Sequence, residues 1–148
     1  MPRSSRLFLF PDVNVWIALT SERHLHHVVA ARWFGSFGED SRLCFCRITQ
    51  LGLLRLLTTQ AVMGREVMTQ PEAWQIYDRW LEDPRVAFID EPAGLEQAFR
   101  SYSRRRSAAP KEWADAYLLA FAAISGLKLV TFDQAFRERA KSVLILIG

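Results

Sequence analysis

No apolar run in this 148-residue chain is long enough to cross a bilayer, which excludes a membrane-spanning helix from the expected architecture. Arg3 and Arg6 ahead of Leu7 to Phe10 imitate the start of a secretory leader, but Pro11, Asp12 and Asn14 interrupt it. No small-residue cleavage site follows, so a soluble cytoplasmic protein is expected. Cysteine is scarce: Cys44 and Cys46 are the only two. No second Cys/His pair stands at zinc-like spacing, and neighbours on one strand face make poor disulfide partners. They read as buried, inert thiols. Repeats, low-complexity tracts and linkers are also missing, so residues 1–148 read as one domain around one core. Nor is there a strong charge of one sign. A net charge of +3 suits a polyanionic partner without requiring one.

What is present is apolar and periodic. Half the residues are hydrophobic and 12% aromatic, which excludes disorder. Short β-like runs occur at Leu7 to Phe10, Leu43 to Cys46, Val86 to Ile89, Leu127 to Phe132 and Val143 to Ile147. Between them, Val29, Trp33 and Phe37 mark a helix, as do Trp74, Tyr77, Trp80 and Leu81, and then Leu95, Ala98, Phe99 and Tyr102. Trp113 to Ile124 is apolar nearly all round and reads as a central, buried helix. Pro71, Pro92 and Pro110 each stand where a helix can begin. Strands alternating with helices predict an α/β three-layer sandwich around a mostly parallel sheet. Functional groups in such sheets gather beyond the carboxyl ends of the strands, where strand order reverses.

Two strands run into aspartate there: Asp12 after the first and Asp133 after the fourth. Asp115 sits near the start of the apolar helix. Singly, each has an ordinary reading as a helix cap or first-turn acid. Together they point elsewhere. Three carboxylates converging on one sheet edge repel one another unless protonated or neutralised by a cation. A hard divalent ion with oxygen ligands, Mg²⁺ or Mn²⁺, resolves that conflict.

Asp12-Val13-Asn14-Val15-Trp16, then Trp113 to Ala120, then Gly126 to Asp133 followed by Ala135-Phe136, resemble the PIN-domain signature over essentially the whole chain, most closely that of VapC-type toxins. The resemblance implies a five-stranded parallel sheet with an acidic pocket at the strand ends. It implies Mg²⁺- or Mn²⁺-dependent cleavage of RNA, inhibition by a cognate antitoxin protein, and a homodimer. Asp12, Asp115 and Asp133 match the family's metal-binding, catalytic acids. Asn14 and Thr131 match its supporting polar positions.

The chain departs from the family at the fourth acid, a glutamate usually carried on the helix after the second strand. Three residues after Thr49 stands Gly52, and immediately after it stands Gln50, which can position a metal-bound water but adds no charge. Glu112, one helical turn before Asp115, is a possible substitute or a solvated first-turn acid. Arg104, Arg105 and Arg106 read either as a cap on a helix end or as phosphate contacts to RNA; Arg47 and Arg55 could make such contacts too. His24, His26 and His27 have no carboxylate or Cys at ligand spacing and read as a helix entrance, and the five tryptophans read as core or interface residues. The expected activity is metal-dependent RNA hydrolysis. The rival from another class is a PIN-like module that binds RNA or a partner without cutting. An aspartyl-phosphate phosphatase ranks last, because Asn14 stands where that chemistry places a second aspartate.

Overall fold

The computed structural model describes residues 7–139 and 143–148; Arg3 and Arg6 lie outside the described residues. Five strands form one sheet: β1 (Phe8–Pro11), β2 (Arg42–Phe45), β3 (Val86–Phe88), β4 (Lys128–Thr131) and β5 (Leu144–Ile145). Every pairing is parallel and the order is β3-β2-β1-β4-β5. The chain therefore builds outward from β1 on one side, then crosses back to add β4 and β5 on the other. The reversal falls between β1 and β4.

Alternation along the strands sorts the core into two layers. Leu9, Leu43, Phe45 and Val130 face one cluster, and Phe10, Cys44, Cys46 and Leu129 face the other. On the first face lie α1 (Val13–Thr20), α2 (His27–Phe34), α3 (Arg47–Leu57) and α5 (Gln70–Glu82), with the single-turn α4 (Gln60–Met63) between the last two. On the second lie α6 (Leu95–Tyr102) and α7 (Trp113–Ser125). This is the three-layer α/β sandwich that the alternating pattern predicts. Both cysteines are buried in the second layer, and burial pushes the Cys44 thiol up to about 11, so it packs as an inert group.

Local chemistry sets the element ends. Thr69 and Glu72 form a capping box at the start of α5, with Pro71 in its first turn. Gly126, at φ 68°, ends α7 in the left-handed conformation and turns the chain into β4. Three expectations need correction. Pro92 does not start a helix, because α6 begins only after Gly94, which turns the chain at φ 81°. Phe37 lies beyond α2, where it packs edge-on against Trp33 and Phe34. The start of α7 is not buried: Trp113 is 56% exposed, and continuous burial begins only at Leu118.

Candidate active site

The ends of β1 and β4 are tied together by one hydroxyl. Asp12 follows β1, and its backbone N–H donates to the Val130 carbonyl at 2.8 Å, which extends the β1–β4 ladder by one residue. Thr131, the last residue of β4, is fully buried. Its Oγ1 donates to Asp12 Oδ2 at 2.9 Å and accepts from Asn14 Nδ2 at 3.0 Å and from the Asp133 backbone N–H at 3.0 Å. Asn14 closes the circuit, its Oδ1 accepting from the Phe132 backbone N–H at 3.2 Å. Asn14 and Thr131 thus brace the carboxylates, the arrangement that second-layer hydrogen bonds provide around functional acids.

Asp12 and Asp133 are also helix caps. Asp12 Oδ1 accepts from the Val13 N–H at 2.7 Å at the start of α1, and Asp133 Oδ1 accepts from the Ala135 N–H at 2.9 Å at the start of a short 3₁₀ turn, Gln134–Glu138. The cap reading of these two acids holds, and it leaves the site reading open, since each carboxylate has two oxygens and one is spent on the backbone.

Asp115 enters from the first turn of α7. Burial pushes its carboxyl up to about 6, the charges of Asp12 and Asp133 push in the same direction, Arg139 opposes them and Glu112 adds a little. The Asp12 carboxyl is also raised, first by burial and last by Asp133, against the bonds from Thr131 and Val13. The three acids therefore share one electrostatic field at the point where strand order reverses. Their donor set, hard carboxylate oxygens that raise one another's proton affinity, fits a divalent cation. As the side chains stand, no group of three His, Cys, Asp or Glu among the described residues is arranged to hold a metal ion. Mg²⁺ commonly takes one or two carboxylates and completes its shell with water and phosphate oxygens, so the fit does not need three closed ligands.

Gln50 does not join this group. It is 7% exposed, its Oε1 accepts from Arg47 Nη1 at 2.7 Å, and it hydrogen-bonds Tyr77. Gly52 lies about 200° further round α3. A Cβ there would sit 2.5 Å from Val13 Cγ2, between the site residues Asp12 and Asn14. The close approach of α3 to α1 thus leaves little room for any side chain at position 52.

Glu112 is committed to arginine. Its Oε1 lies 3.2 Å from Arg105 Nη2 and 3.8 Å from Arg139 Nη1. Arg104, Arg105 and Arg106 do not cap a helix: they lie beyond the end of α6, exposed, in the irregular segment before Pro110. Among the histidines, His26 caps α2 and His27 begins it, as a helix entrance requires. Sequence reasoning missed Arg139. Nothing in its spacing marks it, because only the 3₁₀ turn after Asp133 carries it back over α7.

A family model for the PIN domain matches residues 9–142. Two ribonucleases of Mycobacterium tuberculosis are similar over most of their lengths. Ribonuclease VapC41 is 42% identical over 134 residues, 88% of this chain and 92% of the relative. Ribonuclease VapC39 is 32% identical over 144 residues, 90% of this chain and 94% of the relative. Among solved structures, the sarcin-ricin loop cleaving toxin VapC20 of M. tuberculosis superposes with a TM-score of 0.67 at 19% identity, covering 94% of this chain and 99% of that one. VapBC2 from Rickettsia felis, bound to a DNA fragment from its promoter, gives 0.64 at 11% identity, covering 93% and 96%. Both likenesses are of fold.

Proposed function

The chain belongs to the PIN-domain family, among its VapC-type ribonucleases, and on that premise we propose that it is the endoribonuclease toxin of a toxin–antitoxin pair, hydrolysing RNA phosphodiester bonds with Mg²⁺ or Mn²⁺. The observation that carries this reading is the shared field of Asp12, Asp115 and Asp133 at the β1/β4 reversal, braced through the buried Thr131 hydroxyl. In this reading residues 1–148 act as one cytoplasmic domain, working as a homodimer and silenced by a cognate antitoxin protein. The antitoxin partner is supported by the VapBC complexes among the structural neighbours. Among the described residues no helix is long and apolar enough to cross a membrane.

Asp12, Asp115 and Asp133 would hold the ion, which when bound supplies charge stabilisation at the phosphoryl oxygens and a more acidic water. Thr131 and Asn14 keep Asp12 Oδ2 in one orientation, and the backbone caps hold the other carboxylate oxygens of Asp12 and Asp133. Asp115 has no hydrogen-bond partner among the described residues, and burial with the charges of Asp12 and Asp133 pushes its carboxyl up to about 6, so this acid is poised to gain from a bound cation. Attack by water in line with the ribose 3′-oxygen breaks the P–O3′ bond and leaves a 5′-phosphate and a 3′-hydroxyl, with no part for the ribose 2′-hydroxyl.

Protein purified free of antitoxin should cut single-stranded RNA with Mg²⁺ or Mn²⁺, stop in excess chelator, and yield 5′-phosphate ends. Cleavage that persists in chelator, or 2′,3′-cyclic phosphate ends, would rule out this chemistry. RNA binding without any cleavage would favour the non-cutting module instead.

A further inference from the structure

Beside the three acids, where the chain passes from α6 to α7, lies a cavity of about 70 Å³ whose lining includes Ser103, Arg105, Ser107, Glu112, Trp113 and Arg139. Its charge is unlike that of its neighbour. Two guanidiniums face one carboxylate: Arg105 Nη2 at 3.2 Å from Glu112 Oε1, and Arg139 Nη1 at 3.8 Å. The Arg139 side chain is only 14% exposed, and its Nη2 donates to the Tyr102 carbonyl at 2.9 Å. Its Nη1 is buried with no hydrogen-bond partner among the described residues. A buried donor without an acceptor costs about 1–3 kcal/mol, so the pocket is short of an oxygen ligand. Ala109, in the left-handed region at φ 40° and followed by Pro110, also lines the cavity.

Trp113 forms the rim. It stands two residues before Asp115, is more than half exposed, and meets Phe99 edge-on at 6.1 Å and 80°, so Phe99 does not stack on the indole face. An exposed aromatic beside a cation-rich pocket is the combination that single-stranded nucleic acid exploits: phosphate on the cations, base on the ring. We propose that this corner is the subsite for an unpaired nucleotide flanking the scissile bond, with its phosphate on Arg105 and Arg139 and its base stacked on Trp113. The inference rests on the nuclease reading for what lies next door, while the binding itself needs no metal. It also assigns Glu112 a role: its carboxylate holds the two guanidiniums in register when no phosphate is there.

The test is fluorescence anisotropy in excess chelator, with a labelled single-stranded RNA of about 12 nucleotides and a matching series carrying one abasic position. Trp113→Ala should weaken binding about tenfold, and Trp113→Phe should retain most of the affinity. One abasic position should reproduce the Trp113→Ala loss in the parent and cost little more in that variant. Arg105→Ala should flatten the salt dependence. The subsite is overturned if Trp113→Ala binds within about twofold of the parent, or if no abasic position matters. Should Trp113→Ala fail to fold, the abasic series on the parent and Trp113→Phe decides alone. A parent that binds in this Trp113-dependent way yet never cuts RNA with Mn²⁺ would remove the nuclease reading and leave the subsite standing.

Discussion

At the scale of single residues, what matters is which oxygen of each polar side chain is already used. Asp12 and Asp133 each give one oxygen to a backbone N–H, which leaves the second oxygen of each uncommitted to the backbone, so their sequence context as caps hid nothing. Gln50 and Glu112 are the opposite case. Both stand at plausible positions in the sequence, and both are taken by arginine: Gln50 by Arg47, Glu112 by Arg105 and Arg139. Spacing along a helix reports which face a residue occupies but not which neighbour reaches it first, and both arginine partners of Glu112 come from other elements. Gln50→Glu should therefore pair with Arg47 and leave Mn²⁺ affinity within about twofold of the parent, and Glu112→Gln should do the same; calorimetric titration checks both. A clear gain in Gln50→Glu, or loss of binding in Glu112→Gln, would return that residue to the metal site.

At the scale of elements, the close approach of α3 to α1 leaves little room for a side chain at position 52. A Cβ at Gly52 meets Val13 Cγ2 at 2.5 Å and Cγ1 at 3.1 Å, and Val13 is a short β-branched side chain with little freedom to swing aside. Gly52→Ala should destabilise the fold by about 1–3 kcal/mol, and Val13→Ala in the same chain should recover part of that loss. Urea unfolding of the two variants measures it, and a neutral Gly52→Ala would mean that the helices part easily. The strands and the corner of the sheet where Asp12 and Asp133 stand were readable from the sequence because both depend on short-range patterns: short continuous apolar runs and an aspartate just past β1 and β4. The exposure of Trp113 was not readable. Trp113 meets Phe99 of α6 edge-on and still stays 56% exposed, and an apolar run looks the same whether or not something covers its first residue.

At the scale of the whole molecule, the acids cost stability in the metal-free protein. The Asp115 carboxyl is pushed from its ordinary value near 3.8 up to about 6. Between those values the native state holds a proton that the unfolded chain has released, so stability falls as pH rises through that window and the loss is complete above it. Asp115 is partly solvated, so after screening the effect is on the order of 1 kcal/mol, a few degrees in Tm. Metal-free protein should melt at a lower temperature at neutral pH than near pH 5, Mn²⁺ should restore the difference at neutral pH, and Asp115→Asn should remove it; an unchanged Tm across that range would deny the shared field. Asp12 and Asp133 share the Thr131 hydroxyl and Asp115 feels the charge of both, so the three acids should act as one unit rather than as additive contributors. The measurement that tests this most directly is the single-turnover rate of RNA cleavage in Mn²⁺ for Asp12→Asn, Asp115→Asn, Asp133→Asn and the triple variant. Each single variant should lose nearly all activity and lie within about tenfold of the triple, whereas a single variant cutting at close to the parent rate would contradict the assignment of the site.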